Sequence, residues 1–207
     1  MTRRAWIVLA YAAVVVASAI GARYPADWWL ENMVVFGAAG GVALAWRRGF
    51  VFSDRSLGLI ALLGILHAYG AHYTYSETPL GGALRDALGL ERNPYDRIVH
   101  FAFGLLLATP LRELALRAVG ARGAWSWVLP FAGALAISAS YELTESWAAR
   151  LAAPELGTAY LGTQGDEWDA QKDMSAALAG VSLALVGTAL ARSLARGTRG
   201  TTPDGVR

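Results

Sequence analysis

Six stretches of mostly apolar residues, at about 5–22, 28–46, 56–75, 95–114, 124–148 and 169–191, set the first limit on what this chain can fold into. A hydrocarbon core ~30 Å thick takes about 20 helical residues to cross, and each stretch meets or approaches that length. Charged residues make up only 16% of the 207-residue chain, against about a quarter in soluble domains. The expected fold is therefore all-α: a polytopic membrane helix bundle of about six transmembrane helices. It forms a single domain over residues 1–194, followed by a disordered tail at 195–207. There are no cysteines, which excludes disulfides and thiolate metal ligands. No basic stretch interleaved with aromatics points to nucleic acid, so the expected partners are membrane lipids.

Basic residues concentrate in cytoplasmic loops and so set the orientation. Of 18, twelve fall on one side: Arg3 and Arg4; Arg47, Arg48 and Arg55; Arg112, Arg117 and Arg122; and Arg192, Arg196, Arg199 and Arg207. Of 16 acids, only Asp54, Glu113 and Asp204 share that side. Both termini are thus expected in the cytoplasm, in a multi-pass protein of the bacterial inner membrane. The opening "MTRRAWIVLAYAAVVVASA", with its Ala17-x-Ala19, also has the form of a signal peptide. A retained span is expected, because cleavage would leave "DWWLENMVVF" unanchored. Small residues predict close helix contacts at Gly37 and Gly41 in the second stretch, and at Ala176, Ala177 and Gly180 in the sixth.

Ionisable groups inside spans are costly and each suggests function. His67 lies in the third stretch. The fourth opens "NPYDRIVHF", placing Asp96 and His100 one turn apart. The fifth ends "SASYELTESW", aligning Ser138, Glu142 and Glu145 on one face. The sixth begins within "LGTQGDEWDAQKDM", which places Asp169 and Asp173 one turn apart beside Lys172, the only lysine in the chain. At 1.5 Å per residue, His67, His100, Glu142 and Asp173 each stand ~7–10 Å inside the outer end of their helix. Four helices thus carry polar groups to one level, which predicts a carboxylate-rich cavity open to the outer face.

Imidazoles with several carboxylates suit zinc, iron, manganese or magnesium. The expected ligands are His67, Asp96, His100, Glu142, Asp169 and Asp173, with Glu142 or Glu145 as general base when not a ligand. Plainer readings stand beside these. Asp96 can cap the fourth span, Glu145 and Asp169 can be solvated acids, and Tyr69, Tyr73 and Tyr75 can form an interfacial aromatic belt. Without metal, some acids must be protonated or paired with Arg97 and Lys172.

The motifs "HAYGAHYTYSETPLG", "NPYDRIVHFAFG", "YELTE" and "GTQGDEWDAQKDM" resemble the YjdF-like family of bacterial inner-membrane proteins across residues 55–182. A looser resemblance reaches VanZ-like membrane proteins, in which an Asp-xxx-His, a Glu and a further acid follow in the order of Asp96 and His100, Glu142, and Asp173. This chain departs from that pattern at Glu145, where a Gln is usual, and at the loop "GTQGDEWD". The resemblance implies a fold and a location rather than a reaction. The residues themselves suggest a metal-dependent hydrolase or transferase acting on a lipid or envelope precursor. The alternatives are an ion- or proton-coupled transporter, or a structural membrane protein.

Overall fold

The computed structural model describes residues 1–151 and 164–199. Seven α-helices and no strand occur among the described residues: α1 Arg3–Ala19, α2 Pro25–Arg47, α3 Asp54–Tyr73, α4 Pro79–Leu88, α5 Tyr95–Arg117, α6 Trp125–Leu151 and α7 Asp169–Arg199. A 3-10 turn at Tyr75–Glu77 precedes α4. The expected all-α membrane bundle is the observed architecture. Among the described residues, four helices are long and apolar enough to cross a membrane: α2, α3, α5 and the Asp169–Ala195 part of α7. Helices α1 and α6 occupy the other two apolar stretches. Helix α7 continues to Arg199, five residues into the expected tail, and residues 200–207 lie outside the described residues.

Local chemistry explains where helices start and stop. Thr2 accepts a hydrogen bond from the Ala5 amide, and Ser53 from the Ser56 amide, so each supplies a partner for an otherwise orphaned donor. Pro stands in the first turn of α2 and α4, where its missing N–H costs nothing. Gly89 ends α4 at φ +63°, a left-handed conformation that side chains disfavour. Helix α4 lies outside the six apolar stretches, and its ten residues are too few to cross a membrane. Asn93 holds it in place: a Cβ on Gly81 would overlap the Asn93 side-chain oxygen.

Helices α5 and α7 approach most closely. A Cβ on Gly104 would overlap the carbonyl oxygen of Ala177, and one on Gly180 would overlap that of Phe101. Lipid gives apolar surfaces no drive to associate, so backbone proximity and its dispersion contacts must hold such a pair. Below this crossing Ala108, Ala134, Val181 and Leu185 form a small apolar core shared by α5, α6 and α7. A second cluster, Tyr75, Tyr95 and Val99, joins α5 to α3. The ring of Tyr11 lies over Gly64 and docks α1 on α3.

Helix α2 behaves differently. Trp28 is buried and donates to Ser18 Oγ at 3.1 Å, and Asp27, Glu31 and Asn32 are buried with it. Its second half faces outward. The small face at Gly37 and Gly41 does not meet another helix as expected, since a Cβ at either would find nothing within 4 Å. Large apolar side chains are exposed along α2 and α7, among them Met33, Phe36, Leu44, Leu183, Val186 and Leu190. Such surfaces suit a lipid environment.

Candidate metal centre

The entry to α5 fixes the site. Asn93 Oδ1 accepts from the Tyr95 amide at 3.0 Å, and Asn93 Nδ2 donates to the Thr78 carbonyl at 3.1 Å. Pro94 holds the N-cap position without a side-chain bond, and Asn93, rather than Asp96, supplies the partner for the first helical amide. Gln164 grips the same residue, accepting from the Asn93 amide at 2.9 Å and donating to its carbonyl at 3.2 Å. These bonds tie the loop before α7 to the first turn of α5. The Gly104–Gly180 crossing then holds the two helices together further in.

Between those two fastenings, Asp96 and His100 on α5 face Asp173 on α7. One ligand atom from each lies within 4.8 Å of the other two. His100 Nε2 is 3.6 Å from Asp96 Oδ1 and 3.3 Å from Glu142 Oε1 of α6. Donors bound to one ion at ~2.1 Å stand ~3–4 Å apart, a range that includes both of these separations. Asp173 is only 2% exposed, and its Oδ1 and Glu142 Oε1 are buried with no hydrogen-bond partner among the described residues. Ser138, one turn before Glu142, is also buried with its hydroxyl unpartnered.

A cationic rim lies over the cluster at the ends of these helices. Arg97 Nη2 donates to Asp166 Oδ2 and to Asp169 Oδ1, each at 2.8 Å, and its Nε stands 3.4 Å from Asp173 Oδ1 without hydrogen-bond geometry. Arg92 also pairs with Asp169. Lys172 Nζ donates to both Asp166 oxygens, at 3.0 and 2.8 Å. Hydrogen bonds from Lys172 first, and from Arg97 next, hold the Asp166 carboxyl well below the usual carboxylate range. Asp169, expected as a metal ligand, is thus placed in this rim of ion pairs.

On its lateral side the site continues into Tyr141 and Glu31, which the sequence did not single out, and into Glu145. Tyr141 donates to Glu31 Oε2 at 2.9 Å, and its ring packs edge-on 5.8 Å from the His100 ring. Glu31 lies within coulombic range of Asp96, and Glu145 within that of Asp96, Glu31 and Glu142. His67 bonds through Nδ1 to the Tyr75 hydroxyl at 2.7 Å, and its buried Nε2 has no partner among the described residues. Tyr75 reaches this position because Gly70 has no side chain; a Cβ there would stand 2.7 Å from the ring. Tyr75 is buried, so it lies in the bundle rather than in an aromatic belt. Its hydroxyl also interacts electrostatically with Glu31, Asp96 and Glu145, so Tyr75 stands between His67 and these acids.

Asp96, His100, Glu142 and Asp173 therefore converge. Glu145 borders them, His67 bonds to Tyr75 instead, and Asp169 is held among arginines. The cluster offers oxygen and imidazole donors, a set that divalent zinc, iron, manganese or magnesium accepts. Glu31 escaped notice because an acid early in an apolar stretch reads as an interfacial group. The signal available was its position one turn after Asp27, which gives α2 a single polar face.

Known proteins share this sequence pattern. Over 138 residues the chain is 44% identical to Inner membrane protein YjdF of Escherichia coli (strain K12), and the match covers 66% of each chain. It therefore covers slightly less than two thirds of that relative's length. No solved structure matches. The family described as "Predicted membrane protein (DUF2238)" matches residues 3–193, nearly the whole chain. Together with the apolar helical bundle, these matches identify a multi-pass inner-membrane protein that belongs to the DUF2238 family.

Proposed function

We propose that the cluster at the acidic end of the bundle is a divalent-metal site, and that the protein is a metal-dependent hydrolase or transferase acting at the outer leaflet on a lipid or envelope precursor. One observation carries this reading: Asp96, His100 and Asp173 present three ligand atoms within 4.8 Å of one another. Glu142 stands 3.3 Å from the same imidazole. Buried acids this close repel strongly unless a cation or protons intervene. Arg97 supplies one positive charge, and it is already shared with Asp166 and Asp169. A divalent ion held by Asp96, His100 and Asp173 would balance the remainder. Bound there, it would polarise a phosphoryl or acyl oxygen or activate water. Glu142 and Glu145 would then hold or move the proton.

The Arg92–Arg97–Lys172–Asp166–Asp169 rim favours a second reading, a metal-free polar network that fixes helix packing, because there two acids are paired with basic side chains. Elemental analysis separates the two. Purified wild type should carry a stoichiometric divalent metal and Asp173→Ala should not. Wild type without metal, after exposure to each of the four candidate ions, would favour the network.

A further inference from the structure

The other end of the bundle holds a polar feature that the metal reading leaves unused. Between α5 and α7, against the first turn of α3, lies a cavity of about 220 Å³ with Arg55, Thr109, Arg112, Glu113, Arg117 and Arg192 in its wall. The cleft is half-open, and a phosphate group with its first linked atoms fits within it. Four guanidiniums face one carboxylate, and that carboxylate is already engaged. Glu113 accepts from the Ser53 amide at 2.8 Å and the Ser53 hydroxyl at 2.7 Å, and it pairs with Arg117. Arg117 in turn donates to the Val51 carbonyl at 2.9 Å.

Arg112 and Arg192 converge on an aromatic ring instead of an acid. The Arg112 guanidinium carbon is 4.2 Å from the centre of the Trp127 ring, and that of Arg192 is 5.7 Å from the same centre. Arg112 is only 7% exposed, and its Nε has no hydrogen-bond partner among the described residues. A ring quadrupole offsets only part of the cost of burying a guanidinium, and a second guanidinium at the same ring adds repulsion. What the arrangement lacks is an anion. The planar fork of arginine matches phosphate oxygens in pairs, and basic pockets between membrane helices suit anionic headgroups. Leu116, in the cavity wall, and Leu190, on α7, are exposed and would lie beside acyl chains.

We infer that this cavity is a phosphate-binding site at the basic end of the bundle, in which Arg112 and Arg192 hold a phosphate group. The group is either that of an anionic phospholipid headgroup or free phosphate. The test uses the full chain in neutral-detergent micelles and follows thermal unfolding. Phosphatidylglycerol is titrated against phosphatidylcholine at equal lipid content, and inorganic phosphate against potassium chloride at equal ionic strength. Stabilisation by phosphatidylglycerol alone assigns the headgroup, and stabilisation by inorganic phosphate assigns the free anion. Arg192→Gln should weaken the apparent affinity about five-fold and Arg112→Gln roughly 10–100-fold. Arg48→Gln, on the same side but outside the cavity, should leave it unchanged. Should Arg112→Gln fail to fold, Arg192→Gln carries the test. No stabilisation by either ligand overturns the site. So does stabilisation undiminished in the Arg112 and Arg192 variants, or reduced equally in Arg48→Gln.

Discussion

At the scale of single residues, the candidate centre is defined by what its buried atoms lack. Asp173 Oδ1 and Glu142 Oε1 have no hydrogen-bond donor among the described residues, whereas Asp169, one turn outward from Asp173, is paired with two arginines. His100→Ala should therefore abolish bound metal. Tyr75→Phe, which removes the hydroxyl bonded to His67, should weaken binding only about 10–100-fold if His67 serves the same ion. Metal affinity titrated on both variants distinguishes these effects. The rim makes a separate, pH-dependent prediction. The carboxyl of Asp166 is held below its unfolded range, so its ion pairs stabilise the fold at neutral pH. That contribution should fade as pH drops through the unfolded value of about 4 and on towards the lower folded one. Asp166→Asn should melt below wild type at pH 7, and the gap should close as the medium is acidified below pH ~4. A gap that widens in acid would contradict the assignment.

Helices impose the next constraint, and here the glycines discriminate. At Gly104 an added methyl meets the backbone carbonyl of Ala177, which has no rotamer by which to yield. Gly104→Ala should cost about 1–3 kcal/mol and part α5 from α7, thereby opening the candidate centre. At Gly41 nothing lies within 4 Å, so Gly41→Ala should be neutral or stabilising by up to ~1 kcal/mol through helix propensity. Thermal unfolding of the two variants in detergent checks the contrast. It also shows what the sequence conveys about elements. Spacing and depth were enough to bring His100, Glu142 and Asp173 together, and Asp96 with them because i, i+4 pairs share a face whatever the neighbours are, whereas His67, expected at the same level, bonds to Tyr75 instead. Which glycine meets a neighbouring backbone was not legible, since Gly37-xxx-Gly41 and Gly104 look alike until the helices are packed. The same reason hid the pairing of Glu31 with Tyr141, which lies 110 residues away on α6.

For the molecule as a whole, apolar segment length predicted the bundle, and charge asymmetry predicts its orientation. The structure adds that the two ends differ in kind. One end gathers Glu31, Asp96, Glu142, Glu145 and Asp173, and the other gathers Arg55, Arg112, Arg117 and Arg192. A reporter active only in the cytoplasm should function when fused after Arg48, Arg122 or Arg199 and fail after Glu91 or Glu155. The reversed pattern would move the acidic site to the cytoplasmic face. The central claim is that a divalent ion, rather than a self-sufficient polar network, balances the acidic end. The most direct test is thermal unfolding of wild type and Glu142→Gln with and without chelator, each sample also analysed for metal. A metal site predicts that chelator lowers the wild-type melting temperature, and that Glu142→Gln has lost metal and no longer responds. A network predicts no metal and no chelator effect, with Glu142→Gln melting higher than wild type because a buried charge has been removed; that result would contradict the metal reading.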